Sequence, residues 1–189
     1  MGLPQLTNHH TTVTVFGSSR PKPATPDYET AYALGSELAR AGFVVCNGAY
    51  GGTMEASARG AKAAGGSTVG VTFTALGERS PNRWIDRTVH ETTLIRRMLK
   101  LIELGDAYVL LKGGTGTLLE LAAIWELINK GLSPERPIVA VGSFWRPVIQ
   151  ALREEPAWEG VETCERYVTQ VANPEEAARV LHRRLNGKA

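Results

Sequence analysis

Short apolar runs alternate with longer amphipathic segments along the chain, and this alternation is its strongest structural signal. Apolar runs bounded by turn residues predict buried strands. Apolar residues at spacings of three and four predict helices, as at Ala31, Leu34, Leu38 and Ala41. The predicted strands cover residues 13–16, 43–46, 68–73, 87–90, 107–111, 138–141 and 167–171. The predicted helices cover residues 27–41, 53–64, 93–104, 117–129, 144–152 and 174–185.

The predicted strands are apolar throughout, which is typical of a parallel sheet covered by helices on both faces. Alternating strands and helices with short connections predict the α/β class, specifically a Rossmann-like, doubly wound and mostly parallel sheet. We expect one nucleotide-binding domain over residues 13–187, preceded by a flexible N-terminus over residues 1–12. Ligands of such sheets bind beyond the carboxyl ends of the strands, so the loops that follow strands are where a site is expected.

Composition and charge narrow the classes of partner. The chain has 189 residues, of which 43% are hydrophobic and 21% charged, as in ordinary globular domains. A formal net charge of +2 offers no general attraction to nucleic acids or membranes. The first twelve residues lack the apolar core of a signal peptide. We therefore expect a cytoplasmic protein with a small-molecule nucleotide partner, and neither a nucleic-acid nor a membrane partner.

The two cysteines, Cys46 and Cys164, are too few and too far apart for a disulfide framework or a metal site. Cys46 follows an apolar run, which favours a small buried hydrophobe over a reactive thiol. No cluster of histidines and cysteines suggests a metal ligand set. The expectation is therefore a site without a metal and without a cofactor.

Three loops that follow predicted strands are rich in glycine and small hydroxyl residues, at 17–19, 47–53 and 112–117. Glycine allows the backbone to approach a ligand closely, and the first turn of a helix offers unpaired N–H groups to a phosphate. Any one such loop could be only a tight turn, but three at equivalent strand ends favour an anion or nucleotide site. The candidate phosphate-binding residues are Gly17, Ser18, Ser19, Gly51, Gly52, Thr53, Gly113, Gly114, Thr115, Gly116 and Thr117.

These loops match neither of the two best-known phosphate fingerprints. No lysine follows the glycines as a P-loop requires, and the first strand-to-helix turn lacks the G-x-G-x-x-G of dinucleotide-binding proteins. An ATPase and a dehydrogenase are therefore disfavoured.

Charged residues near the third loop are the candidates for chemistry. Glu120 is placed in the first turn of its predicted helix, where it could cap the helix or could reach the ribose of a bound nucleotide. In the preceding helix we expect Leu94 and Met98 to face the core together. That arrangement leaves Arg96 and Arg97 on other faces, either solvated or directed toward the ligand end of the sheet.

The segment at 113–120, G-G-T-G-T-L-L-E, resembles the P-G-G-x-G-T-x-x-E hallmark of the Lonely-guy family, whose members are often labelled possible lysine decarboxylases. Lys112 stands where that family usually has proline. Weaker matches are V-F-G-S-S at 15–19 and G-G-T-M-E at 51–55. The resemblance covers about residues 13–141, most of the chain.

The resemblance implies a Rossmann-like fold, usually in a homodimer. The implied activity is hydrolysis of the N-glycosidic bond of a nucleoside 5′-monophosphate, such as AMP or a cytokinin riboside monophosphate. Arg97 and Glu120 would carry the reaction, which releases a free base and ribose 5-phosphate. No pyridoxal phosphate lysine is indicated, so decarboxylation has no support.

The second loop departs from the usual family pattern, since G-A-Y-G-G-T-M at 48–54 is shorter than G-G-G-x-x-G-x-M. In this respect the chain is similar to a neighbouring branch that includes molybdenum-cofactor carrier proteins. The alternative function is therefore a non-catalytic carrier for a phosphate-bearing ligand, such as molybdenum cofactor or a nucleotide.

Overall fold

The computed structural model describes residues 11–74, 80–159 and 167–187, with the side chains of 153–159 excepted. The described strands are β1 (Thr12–Phe16), β2 (Val44–Asn47), β3 (Thr68–Phe73), β4 (Arg87–Glu91), β5 (Ala107–Leu110), β6 (Ile138–Val141) and β7 (Val168–Val171). The described helices are α1 (Pro26–Arg40), α2 (Thr53–Ala63), α3 (Leu94–Leu104), α4 (Thr115–Asn129), α5 (Arg146–Glu159) and α6 (Pro174–Asn186).

These strands form one sheet in the order β4-β3-β2-β1-β5-β6-β7, and every neighbouring pair is parallel. Successive strands from β1 to β4 therefore lie on one side of the sheet, and successive strands from β5 to β7 lie on the other side. The predicted Rossmann-like, doubly wound fold is confirmed. Its switch point lies between β1 and β5, so the loops after these two strands flank the crevice in which such sheets bind ligands.

The sheet separates two hydrophobic layers. One layer joins α1, α2 and α6 to the sheet through residues such as Leu34, Ala56 and Leu181. The other joins α3, α4 and α5 through residues such as Leu101 and Ile124. The alternation of side chains along the strands divides them between the layers, since Val15 belongs to the first and Phe16 to the second.

Glycines bring α1 and α2 into backbone contact. A Cβ added to Gly35 would lie 1.9 Å from the carbonyl oxygen of Ser57, and one added to Gly60 would lie 2.0 Å from that of Tyr32. No larger residue fits at either position without separating the helices. This close approach fixes α2, and with it the second glycine-rich loop, against the middle of α1.

Three predictions about local structure were wrong. α4 begins at Thr115 rather than at 117, because Gly114 already serves as its N-cap. α5 extends to Glu159 rather than ending at 152, since the charged residues at 153–155 carry no apolar periodicity that would have predicted its continuation. Leu94 is 50% exposed and so does not share the core with Met98. Residues 1–10 and Cys164 lie outside the described residues.

Candidate functional site

The three glycine-rich loops meet at Ser18, at the carboxyl end of the sheet. The backbone N–H of Ser18 donates a hydrogen bond to the carbonyl oxygen of Lys112 at 3.2 Å. The Ser18 carbonyl oxygen in turn accepts from the Thr53 backbone N–H at 2.9 Å and from the Thr53 hydroxyl at 3.0 Å. The first loop is thus bonded to both of the others, and the candidate residues that the sequence predicted are brought together.

Glycine is required where the first two loops touch. Gly52 has a φ of +68°, and a Cβ there would lie 2.4 Å from the carbonyl oxygen of Ser18. A Cβ on Gly17 would lie 2.7 Å from the hydroxyl oxygen of Thr53. The two glycines therefore serve loop packing. Their conformational freedom does not by itself indicate a ligand.

The N-terminus of α4 differs from those of α1, α2, α3 and α6 because it has neither a side-chain cap nor an acidic residue in its first turn. α4 starts after the N-cap Gly114, which provides no side-chain cap, and no acidic residue lies in its first turn. By contrast, Thr93 caps α3 by accepting from the backbone N–H of Arg96 at 3.2 Å, and Asn173 caps α6 in the same manner. α1 and α2 also lack side-chain caps but carry acidic residues in their first turns. The N–H groups and the dipole of α4 are therefore suited to an anion.

The candidate residues of the third loop differ in exposure. Gly114, Thr115 and Gly116 are exposed, and the last two form the first turn of α4 rather than a loop before it. Thr117 is buried, with its hydroxyl against Gly113, where a Cβ would lie 2.2 Å from the hydroxyl oxygen. The surface open to a ligand is therefore the exposed start of the helix.

Arg97 is buried beneath the second loop, unlike its exposed neighbour Arg96. Its Nε donates to the carbonyl oxygen of Val71 at 2.7 Å, and its Nη2 donates to that of Gly48 at 2.9 Å. Its guanidinium carbon lies 5.4 Å from the ring centre of Tyr50, within reach of a cation–π attraction. Arg97 therefore ties the second loop to the end of β3.

Two asparagines and a tyrosine hold the second loop in this position. Asn47 is buried and accepts from the backbone N–H of Ala49 at 2.8 Å while donating to the carbonyl oxygen of Met54 at 2.8 Å. Asn82 donates to the carbonyl oxygen of Tyr50 at 2.9 Å. The Tyr50 hydroxyl accepts from the backbone N–H of Phe73 at 3.2 Å. Hydrogen bonds therefore hold the second loop in place over the Arg97 side chain.

Glu120 is half-buried in the second turn of α4, five residues after the first residue of the helix. This position is too far along the helix for a capping role, so that interpretation of Glu120 was wrong. Burial raises the pKa of Glu120 to about 8, and the positive charge of Arg97 opposes part of this rise. Burial also lowers the pKa of Arg97, and the charge of Glu120 counteracts that shift.

Sequence reasoning missed Gly48 and Tyr50 as members of this arrangement. A Cβ on Gly48 would lie 1.6 Å from Nη2 of Arg97, so only glycine allows the guanidinium its place. The signal was present in the glycine-rich second loop, but nothing in the sequence indicates that Arg97 enters beneath it. Cys46 is buried as predicted, and burial raises the pKa of its thiol to about 12.

A family comparison matches residues 10–177 to the SLOG cluster4 family. The chain belongs to this family. A relative from Rhodococcoides fascians, a cytokinin riboside 5′-monophosphate phosphoribohydrolase, is 32% identical over 158 residues, which are 80% of this chain and 78% of that protein. This relative confirms the resemblance to the Lonely-guy family that the residues at 113–120 suggested.

Solved structures of low sequence identity share the fold. The molybdenum cofactor binding protein from Rippkaea orientalis has a TM-score of 0.71 and 21% identity, covering 93% of this chain and 97% of that one. DNA processing protein A from Helicobacter pylori, which binds single-stranded DNA, has a TM-score of 0.57 and 16% identity, covering 90% of this chain and 80% of that one. These likenesses concern the fold alone, so the absence of a nucleic-acid partner stays a prediction.

Two kinds of feature are absent from the residues that the structure describes. None of their helices is both long and apolar enough to cross a membrane. Within the same residues, no group of three or more His, Cys, Asp or Glu side chains is placed to hold a metal ion.

Proposed function

We propose that the protein hydrolyses the N-glycosidic bond of a nucleoside 5′-monophosphate, with AMP or a cytokinin riboside monophosphate as substrate. The observation that carries the proposal is the position of Glu120, a carboxyl whose pKa responds to the charge of Arg97, on the helix whose uncapped N-terminus suits a phosphate. The similarity to the Rhodococcoides fascians phosphoribohydrolase supports the same reaction.

The phosphate binds at the start of α4. Gly114, Thr115 and Gly116 are exposed there, and the helix dipole favours a negative charge. Ser18 and Ser19 border the same region through the hydrogen bond from Ser18 to the third loop. With the phosphate at this end, Glu120 lies about 7.5 Å further along the helix axis, at 1.5 Å per residue, on the way from the phosphate to the ribose.

Glu120 acts on the ribose. As a carboxylate it accepts hydrogen bonds from the sugar hydroxyls and stabilises the positive charge that develops at the anomeric carbon, as carboxylates do in glycoside hydrolysis. The bond from that carbon to the base nitrogen breaks, and the base departs with the electron pair and takes up a proton. Water supplies the hydroxyl that completes ribose 5-phosphate.

Arg97 contributes through its charge and through the loop it holds. Two of its donors already bind the carbonyl oxygens of Val71 and Gly48, so its first effect is to keep the second loop closed. Its charge also favours the ionised form of Glu120, the form that the reaction needs. We propose that both effects, rather than direct contact with the phosphate, account for its part in the reaction.

A turnover assay tests the proposal. Purified protein is incubated with AMP or isopentenyl-AMP, and the free base is measured by chromatography. We expect base release by the wild-type protein and a loss of at least about 100-fold in Glu120→Gln, on the scale seen when one stabilising group is removed from an active site. Thermal stabilisation by AMP without any base release would instead favour the non-catalytic carrier.

We also propose that the protein forms a homodimer through α3 and α4. Large apolar side chains on these two helices are 38–51% exposed, namely Leu94, Ile95, Leu99, Leu118 and Leu119. Exposed apolar residues grouped in this way are typical of protein interfaces. Light scattering on the wild-type protein and on Leu99→Arg tests this, with Leu132→Arg, at a 74% exposed leucine outside these helices, as the control.

A further inference from the structure

A cavity of about 370 Å³ opens at the carboxyl ends of β5, β6 and β7, and of the candidate phosphate-binding residues only Thr53 lines it. Its lining includes the apolar residues Leu111 and Val141, together with Asp27 and Thr30 of α1. Glu120 belongs to α4, in the other helical layer. Since Lys112 lines the cavity and is the first residue of the third loop, the cavity and the Glu120 side flank the same phosphate-binding region.

Phe144 provides an aromatic surface at this cavity. Its side chain is 47% exposed, although its ring packs edge-on against Trp145 with 5.1 Å between ring centres. Trp145 is itself buried, and its Nε1 donates to the carbonyl oxygen of Leu111 at 2.9 Å. The buried Trp145 therefore supports the exposed ring of Phe144, which leaves that ring available for stacking of a flat ligand.

A cation and a carboxylate lie beside this ring. The Nζ of Lys112 is 3.4 Å from Oδ2 of Asp27 and 5.9 Å from the centre of the Phe144 ring. Together the pair offers hydrogen-bond donors and acceptors with no net charge, and the hydroxyls of Thr30 and Ser143 add more. A second anionic group would be attracted by the lysine but repelled by the aspartate. A neutral, planar ring with its own hydrogen-bond donors and acceptors fits the surface formed by Lys112, Asp27 and Phe144 better than a second anion does.

We propose that the cavity is a second subsite that binds a planar nitrogen heterocycle stacked on Phe144. The protein then accepts ligands that carry a heterocycle on each side of their phosphates, as a dinucleoside pyrophosphate does. One heterocycle lies on the Glu120 side and the other in the cavity, with the phosphates at the third loop between them. This inference rests on the proposed function, because it needs the phosphate at the start of α4.

Calorimetric titration with AMP and with diadenosine pyrophosphate tests the subsite. We expect the wild-type protein to bind the dinucleotide at least about fivefold more tightly than AMP, the lower end of what stacking of one base on an aromatic side chain contributes. Phe144→Ala should remove this advantage while changing AMP affinity less than about twofold. Lys112→Met should weaken dinucleotide binding selectively as well, and Leu132→Ala should leave both affinities unchanged.

Two results would overturn the subsite: equal affinity of the wild-type protein for both ligands, or equal weakening of both by Phe144→Ala. Repeating the titrations in a Glu120→Gln background removes ligand turnover as a cause of any difference. AMP cleavage is measured on the same preparations. If AMP is not cleaved but the dinucleotide still binds in a Phe144-dependent manner, the proposed hydrolysis fails and the subsite stands.

Discussion

Arg97 and Glu120 lie on different helices, yet each shifts the ionisation of the other. The charge of Arg97 lowers the pKa of Glu120, but burial outweighs it and leaves that pKa at about 8. The charge of Glu120 raises the pKa of Arg97, and here too burial has the larger and opposite effect. A buried arginine near a carboxyl that is largely protonated at neutral pH is a costly arrangement for the fold. Such arrangements are typical of functional sites.

The first prediction concerns stability and pH. The folded pKa of Glu120 is about 8, against an ordinary value of 4.5, so between these values the folded protein binds more protons than the unfolded chain. The free energy of unfolding must therefore fall as the pH rises from 4.5 to about 8. Glu120→Gln removes this pH-dependent loss of stability, because glutamine does not ionise. Since each unit of pKa difference corresponds to about 1.4 kcal/mol, we expect this variant to be more stable than wild type at about pH 9, by up to about 5 kcal/mol, and similar to wild type near pH 4.5.

Urea unfolding of both proteins across this pH range measures the difference. Glu126→Gln is the matched control, because Glu126 is exposed on the same helix and pairs with Lys130 only at 3.6 Å. A stability difference between wild type and Glu120→Gln that is constant with pH would show that Glu120 titrates as an ordinary carboxyl.

The second prediction concerns the pH dependence of AMP cleavage. If the carboxylate form of Glu120 stabilises the positive charge on the ribose, kcat/KM should increase with pH until Glu120 is ionised, with a midpoint near 8. The initial rate at low AMP concentration, measured over about pH 5 to 10, gives this profile. A decrease through the same range would mean that the protonated form is the active one, so that Glu120 acts as an acid toward the leaving base.

The order of the elements could be predicted from the sequence, but the surroundings of Arg97 could not. Buried strands and amphipathic helices leave a local periodic signal, and the glycine-rich loops are visible as composition. The burial of Arg97 depends instead on carbonyl oxygens of Gly48 and Val71, which are distant in sequence and have no side-chain signature. The expected burial of Leu94 was wrong for a related reason. Arg97, rather than a leucine, occupies the inward position next to Met98.

The third prediction separates Arg97 from its neighbour. Replacing Arg97 with methionine keeps much of the side-chain volume but leaves the carbonyl oxygens of Val71 and Gly48 without their donor. Each unsatisfied buried acceptor costs about 1–3 kcal/mol, so for two acceptors we expect a loss of about 2–6 kcal/mol in the free energy of unfolding. Arg96→Met, at the exposed adjacent position, should change it by less than about 0.5 kcal/mol.

Urea unfolding of Arg97→Met and Arg96→Met at one pH measures the two losses of stability. Equal effects of the two substitutions would contradict the clamping role of Arg97. The Arg97→Met protein, if folded, should also show a pKa for Glu120 above the wild-type value, since the charge that lowers it has gone. Its pH profile for AMP cleavage should then move to higher pH.

The fourth prediction tests the phosphate site without disturbing the fold. A Cβ on Gly116 would meet nothing within 4 Å, and the residue lies in the first turn of α4. Alanine is favoured over glycine in helices by about 0.5–1 kcal/mol, so Gly116→Ala should be at least as stable as wild type. If the substrate phosphate packs against the amides at this point, however, the added methyl group obstructs it.

Gly116→Ala should therefore combine undiminished stability with AMP affinity that is lower by about tenfold or more, since one obstructed charge-assisted hydrogen bond costs about 1.5–3 kcal/mol. Thermal unfolding gives the stability, and calorimetric titration with AMP gives the affinity. Glu126→Ala changes the same helix almost three turns further along and should leave AMP affinity as it is. Unaltered AMP affinity in Gly116→Ala would show that the phosphate does not bind at the first turn of α4, because a phosphate bound there would be obstructed by the added methyl group.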